Sequence, residues 1–121
     1  MVLIILNHMV KYSDHLDRMF HALADSTRRA MVERLVRGPA SVSELASPFA
    51  MSMPAVVQHL KVLEGAGIAV SEKVGRVRTV QLAPDALTDG GEWIGRQRLP
   101  AERQLDRLGA VLAPDDTTKE N

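Results

Sequence analysis

Two helix starts lie only eleven residues apart, at Ser41 and Ser52, and no other feature constrains the fold of this chain as tightly. Ser41-Val42-Ser43-Glu44 fits a capping box, in which the Ser side chain and the Glu three residues on satisfy each other's free backbone amides. The helix beginning there must be short, because Pro48 disfavours a helical Ser47 and supplies no amide, leaving Phe49 to be buried beyond the helix end. Ser52 is the second cap, and Pro54 follows it in the first turn, where a missing amide costs nothing. This helix runs to about Glu64, with Gly65 and Gly67 to supply the left-handed conformations that end it. Its apolar stripe is Val56, Leu60 and Leu63, while Pro54, Gln58 and Lys61 fall on the other side at about 100° per residue. One face packs, and the other is left to touch something.

The flanking patterns extend this picture. Leu16, Met19, Phe20 and Leu23 recur at i, i+3, i+4 and i+7, which predicts a first helix over about 14–24. Asp25 caps a second helix running to about Arg37, with Met31, Leu35 and Val36 inward and Gly38-Pro39 as its stop. From Ile68 the period drops to two through Ile68, Val70, Val74, Val80 and Leu82, with Gly75-Arg76 at the tip. That predicts a two-stranded hairpin over about 68–82. Leu87, Trp93, Ile94, Leu99, Leu105, Leu108, Val111 and Leu112 then outline a long amphipathic helical stretch over about 90–112, interrupted by Pro100. Residues 113–121, rich in Asp, Thr, Lys and Glu, read as a frayed end. Val2–Leu6 has no clear period: a strand, a further contact for the first helix, and an extension upstream of a start at Met9 all stay open.

Several function classes drop out. The 121 residues suit one domain, and no apolar run approaches the roughly 18 to 20 residues that cross a bilayer. A soluble, cytoplasmic protein without a membrane partner is expected. Cysteine is absent, which removes disulfides, thiolate metal sites and thiol redox chemistry. No nucleophile-elbow pattern, phosphate loop or paired-carboxylate signature points to an enzyme or a cofactor. The net charge of zero hides an uneven distribution. Residues 25–37 carry four Arg against Asp25 and Glu33, and 52–82 carry Lys61, Lys73, Arg76 and Arg78 against Glu64 and Glu72. Residues 83–121 hold eight acids against five bases, so an acidic tail cancels a basic middle.

A short capped helix, a tight turn at Ala50-Met51 and a capped helix with one polar face make a helix-turn-helix, at about 42–66. A two-stranded ribbon with a basic tip directly after it makes a wing. An α-helix fits the major groove of B-DNA with its N-terminal residues at the base edges, and a wing adds contacts to the backbone or minor groove. The stretches ALADSTRRAMVERLVRG, SVSELA, MSMPAVVQHLKVLEGAGI and VGRVRTVQL resemble the winged helix-turn-helix repressors of the ArsR family, in the branch lacking metal-binding cysteines. The resemblance spans roughly 15–112. It implies a mainly α fold with a small β-hairpin: four helices, the ribbon and a last helix. It also implies a homodimer, joined through the first and last helices, that blocks transcription on a near-palindromic double-stranded DNA operator.

Carried residue by residue, the resemblance puts base reading on Met53, Pro54, Val57 and Gln58, and phosphate contacts on Ser52, Lys61, Arg76 and Arg78, with Lys73 and His59 as further DNA-facing candidates. Gln58 is the best reader, because its amide can pair with adenine N6 and N7 together. Val57 departs from the Ser common in the family, so an operator sequence cannot be borrowed from relatives. His59 lies nearer the packed stripe, and a structural hydrogen bond competes with DNA contact for it. Arg28 and Arg29 are either phosphate ligands or partners of neighbouring acids. Leu16, Met19, Phe20, Leu105, Leu108 and Leu112 are the expected dimer contacts, because two amphipathic end helices carry more apolar face than one wing domain covers. A protein-interaction module that kept the fold and lost the groove contacts is the rival function. A metal inducer held by His and carboxylates is a further one. Against it, the last helix lacks His, and His15 and His21 stand about 240° apart on the first helix.

Overall fold

The computed structural model describes residues 1–112, so the frayed end expected at 113–121 lies outside the described residues. The elements run α1 (Val2–Leu23), α2 (Ser26–Val36), β1 (Ala40–Ser41), α3 (Val42–Ala46), α4 (Met53–Gly65), β2 (Ala69–Val74), β3 (Val77–Leu82), α5 (Thr88–Arg96) and α6 (Pro100–Leu112). They divide into two units, Met1–Gly90 and Gly91–Asn121.

The three capped helix starts are present as read. Asp25 Oδ2 accepts from the Arg28 amide at 3.0 Å, and Ser52 Oγ from the Ala55 amide at 3.3 Å. The capping box closes both ways, with Glu44 N to Ser41 Oγ at 3.1 Å and Ser41 N to Glu44 Oε1 at 3.4 Å. α3 ends at Ala46, although Ser47 keeps helical torsions (φ −51°, ψ −43°) in front of Pro48. Of the two glycines expected to end α4, Gly67 takes the left-handed conformation, at φ 74°, and Gly65 is the last helical residue.

In the first unit, α1 contributes Leu16, Met19 and Ala22 to the core, α2 contributes Met31, Val32 and Leu35, α3 contributes Leu45, and α4 contributes Val56, Leu60 and Leu63. Phe49 packs against this cluster from beyond α3. Two inward assignments need correction. Val36 is 68% exposed and Val32 takes the buried position beside Met31 and Leu35, so the stripe of α2 is rotated from the one read. On the ribbon, Val70 and Val74 are exposed while Ala69 is buried. Ile68 enters the core from the turn before β2, with its amide bonded to Leu63 O at 3.0 Å, and this turn shifts the alternation by one residue.

The sheet has three antiparallel strands in the order β1-β3-β2 rather than the two expected. β1 pairs Ala40 with Val80 and is too short for a period to be visible. β2 and β3 pair Val74 with Val77 around the Gly75-Arg76 tip, where Gly75 has φ 63°. Arg34 secures the route into the helix-turn-helix, donating to Gly38 O at 3.0 Å and to Glu44 Oε2 at 3.4 Å.

The first helix is twice as long as predicted. No Pro or Gly interrupts residues 1–23, and the apolar residues of the first turns lie all round the helix, which erases the period that would have shown it. The region left open at Val2–Leu6 is therefore a helical continuation, with its large side chains at least half exposed. α5 approaches α1 through Gly90, where an added Cβ would stand 2.5 Å from Met19 Sδ. Beside it His15 Nε2 and Asp89 Oδ2 lie 3.3 Å apart. In the second unit the stretch interrupted by Pro100 is fully broken at 97–99, and Pro100 becomes the first residue of α6. Arg98 pairs with Glu102 and Asp106 along one side of α6, and Leu105, Leu108, Val111 and Leu112 are exposed.

Candidate nucleic-acid interface

α4 divides its residues by face. Val56, Leu60 and Leu63 are buried, and Met53, Pro54, Val57, Gln58 and Lys61 are all exposed, as is the capping Ser52. Pro54 in the first turn leaves the helix N-terminus intact, because no intrahelical bond is lost there. A solvent-facing helix side that begins at a capped N-terminus presents its first two turns without disturbing the core.

The ribbon adds cations on the same side. Ala69, Ser71 and Lys73 alternate on one face of β2, opposite Leu82, Val80 and Arg78 of β3. Ala69 and Val80 are buried against the helices, so Lys73 and Arg78 continue that helix-facing side outward past the core. Arg78 Nη1 donates to Ser71 Oγ at 3.1 Å, which holds its guanidinium along the ribbon. A hollow of about 180 Å³ is lined by Val57, Leu60, Lys61 and Glu64 of α4, Val42 of α3 and Arg78 of β3. It brings Val57, Lys61 and Arg78 to one place. Arg76 is exposed at the tip, farther out.

His59 is placed differently. Its side chain is 24% exposed, and its Nδ1 lies 3.2 Å from Arg28 Nη1 and 3.8 Å from Asp25 Oδ2. The amide of Arg28 holds the Asp25 carboxyl below the usual carboxylate range, against some desolvation and with help from the charge of Arg28. Arg28 and Arg29 both turn to the end of α1: Arg28 donates to Ala22 O and His21 O, and Arg29 to Leu23 O at 2.9 Å. Apart from His59, their side-chain partners are backbone carbonyls rather than acids, and a carbonyl acceptor leaves no residue-type signal in a sequence.

Of the expected dimer contacts, Leu16 and Met19 are buried inside their own chain, Met19 to 1% exposure, and Phe20 is half-buried. Leu105, Leu108 and Leu112 are exposed, and so are the apolar residues of the first turns of α1, Val2, Ile5, Leu6 and Met9 among them, which the sequence had not assigned. Among the described residues no group of three or more His, Asp and Glu could hold a metal ion, and no helix is long and apolar enough to cross a membrane.

Residues 23–72 match the family model described as a helix-turn-helix domain. The HTH-type transcriptional regulator Rv2034 of Mycobacterium tuberculosis is 52% identical over 71 residues, covering 59% of this chain and 66% of that regulator, just under two thirds of its length. The transcriptional repressor SdpR of Bacillus subtilis is 27% identical over 79 residues, 65% of this chain and 88% of that protein. A crystal structure of an ArsR family transcriptional regulator shares 45% identity, covers 70% of this chain and 88% of its own, and superposes with a TM-score of 0.67. The arrangement of capped, solvent-facing helix and basic ribbon is a winged helix-turn-helix. The chain belongs to the ArsR family of transcriptional regulators.

Proposed function

We propose that this protein represses transcription as a homodimer, reading a near-palindromic DNA operator with α4 and anchoring itself to phosphate with the ribbon, without catalysis and in the cytoplasm. One observation carries the reading: α4 completes the core with Val56, Leu60 and Leu63 while keeping Met53, Pro54, Val57, Gln58 and Lys61 exposed beside Arg78. A helix this exposed along its first two turns fits the major groove, and the cations around it supply the electrostatic part of the affinity. Gln58 is the direct reader in this account. Met53, Pro54 and Val57 make apolar contacts to base edges, and Ser52, Lys61, Lys73, Arg76 and Arg78 meet phosphates. The name of SdpR supports repression as the sign of the effect.

Dimerisation rests on apolar surface. Val2, Ile5, Leu6 and Met9 of α1, and Leu105, Leu108 and Leu112 of α6, expose apolar surface of the kind a second copy covers. A two-fold axis then sets two α4 helices about one DNA turn apart, roughly 34 Å. The test is a titration of the DNA upstream of the protein's own gene, with footprinting of the bound region. Two protected half-sites related by a two-fold axis are expected. Equal affinity for that fragment and for a scrambled duplex would defeat the proposal and favour a protein-interaction module.

A further inference from the structure

The apolar stripe of α4 holds the helix against the core but orients it weakly, because apolar contact is non-directional. Directional contacts are supplied by Arg28, in the first turn of α2. Its Nε donates to Ala22 O at 2.7 Å and its Nη2 to His21 O at 3.1 Å, both carbonyls in the last turn of α1. Its Nη1 faces His59 Nδ1 of α4 at 3.2 Å. Its backbone amide is held by Asp25. One side chain thus joins the end of α1, the start of α2 and the middle of α4.

A guanidinium has donors and no acceptor, so His59 Nδ1 accepts this bond and the neutral ring carries its proton on Nε2. His59 directly follows Gln58 in the same helical turn. A displacement at His59 therefore moves Gln58 and Val57 by a similar amount, and a bidentate contact to a base tolerates little displacement. The planar fork of Arg28 reaches two carbonyls and a ring nitrogen at once, which the single ammonium of a lysine matches poorly.

We infer that Arg28 is a positioning residue for DNA reading: acting through His59, it fixes the rotation of α4 against α1 and so the aim of Gln58. The inference rests on the assignment of α4 as the reading helix. It distinguishes Arg28 from the phosphate ligands, because a residue whose guanidinium is committed to α1 and α4 adds no counterion release of its own.

The experiment uses the full chain with Arg28→Lys, His59→Leu, His59→Asn and, in parallel, Gln58→Ala. Each is titrated at several salt concentrations on the operator and on a scrambled duplex, and each is melted. Arg28→Lys and His59→Leu should lose roughly fivefold to tenfold in discrimination with an unchanged salt slope. His59→Asn keeps an acceptor near the Nδ1 position and should recover most of the loss. A His59→Leu protein that melts lower yet discriminates fully, while Gln58→Ala does not, overturns the positioning role alone and leaves a structural one. A salt slope reduced by about two in Arg28→Lys, one phosphate per protomer, makes Arg28 a phosphate ligand and also overturns it. If Gln58→Ala keeps full discrimination as well, the reading assignment of α4 falls and this inference with it.

Discussion

The middle of the chain and its two ends treat apolar side chains in opposite ways. Met31, Leu45, Val56, Leu63, Ile68 and Val80 are buried almost completely, whereas Val2, Ile5, Leu6 and Met9 on α1 and Leu105, Leu108 and Leu112 on α6 are at least half exposed. The middle is self-sufficient: caps, core and sheet close without help, and among the described residues no buried side-chain polar atom lacks a partner. The ends are not, and exposed apolar area of that extent is costly unless another surface covers it. Stability and assembly should therefore be separable by mutation, with the helix-turn-helix answering to the core and operator binding answering to both.

The largest expected effect lies at the ends. Leu105→Asp with Leu108→Asp should give a monomer by light scattering and reduce operator affinity by about a hundredfold or more, because two half-sites are no longer bound together. A monomeric wild type that holds one half-site tightly would break the contrast. Next comes the core: Leu63→Ala should cost about 2 to 5 kcal/mol in urea unfolding, and the loss should not depend on protein concentration. The Leu105 substitutions should instead remove the concentration dependence of the wild-type melting temperature.

Smaller effects sharpen the account of the middle. Ser52→Ala removes the N-cap of α4 and should cost about 1 kcal/mol, read from thermal melts. Asp25 gives the least effect and a distinctive pH signature. Its folded-state pKa is lowered, chiefly by the Arg28 amide, so its contribution is present above the ordinary carboxylate range and is lost as pH falls through the lowered value. Asp25→Ala should therefore be less stable than wild type at pH 7, with the gap closing below about pH 4.

The contrast also explains what could be read from the sequence. The three caps, the stripe of α4 and the Gly75 turn were legible because each is a local rule in which one residue type answers to a neighbour three or four positions away. Longer-range dependence hid the rest. β1 exists only because Ala40 meets Val80, forty residues on. The outward turn of Val70 and Val74 follows from Ile68 entering the core one residue before β2 begins, which a period of two alone does not reveal. The first turns of α1 are apolar on every side, so no stripe marks them. Leu16 and Met19 look like interface residues from the stripe, but both are buried within their own chain, Met19 against Gly90. At the candidate site, exposure of the α4 face followed from the stripe, whereas the use of Arg28 on backbone carbonyls and His59 carries no sequence signature.

The central claim, that α4 reads and the ribbon anchors, is tested most directly by comparing Gln58→Ala with the double variant Arg76→Ala, Arg78→Ala in titrations at several salt concentrations on operator and scrambled duplexes. Gln58→Ala should fold normally, lose roughly 1 to 3 kcal/mol of operator affinity per contact and relax preference at one base pair in each half-site, with its salt slope intact. The double variant should weaken binding to every sequence alike and flatten the slope by about one unit for each phosphate contact removed, doubled by the two-fold axis. A Gln58→Ala protein with full discrimination, or a ribbon variant that loses discrimination with its slope unchanged, would contradict the division of labour.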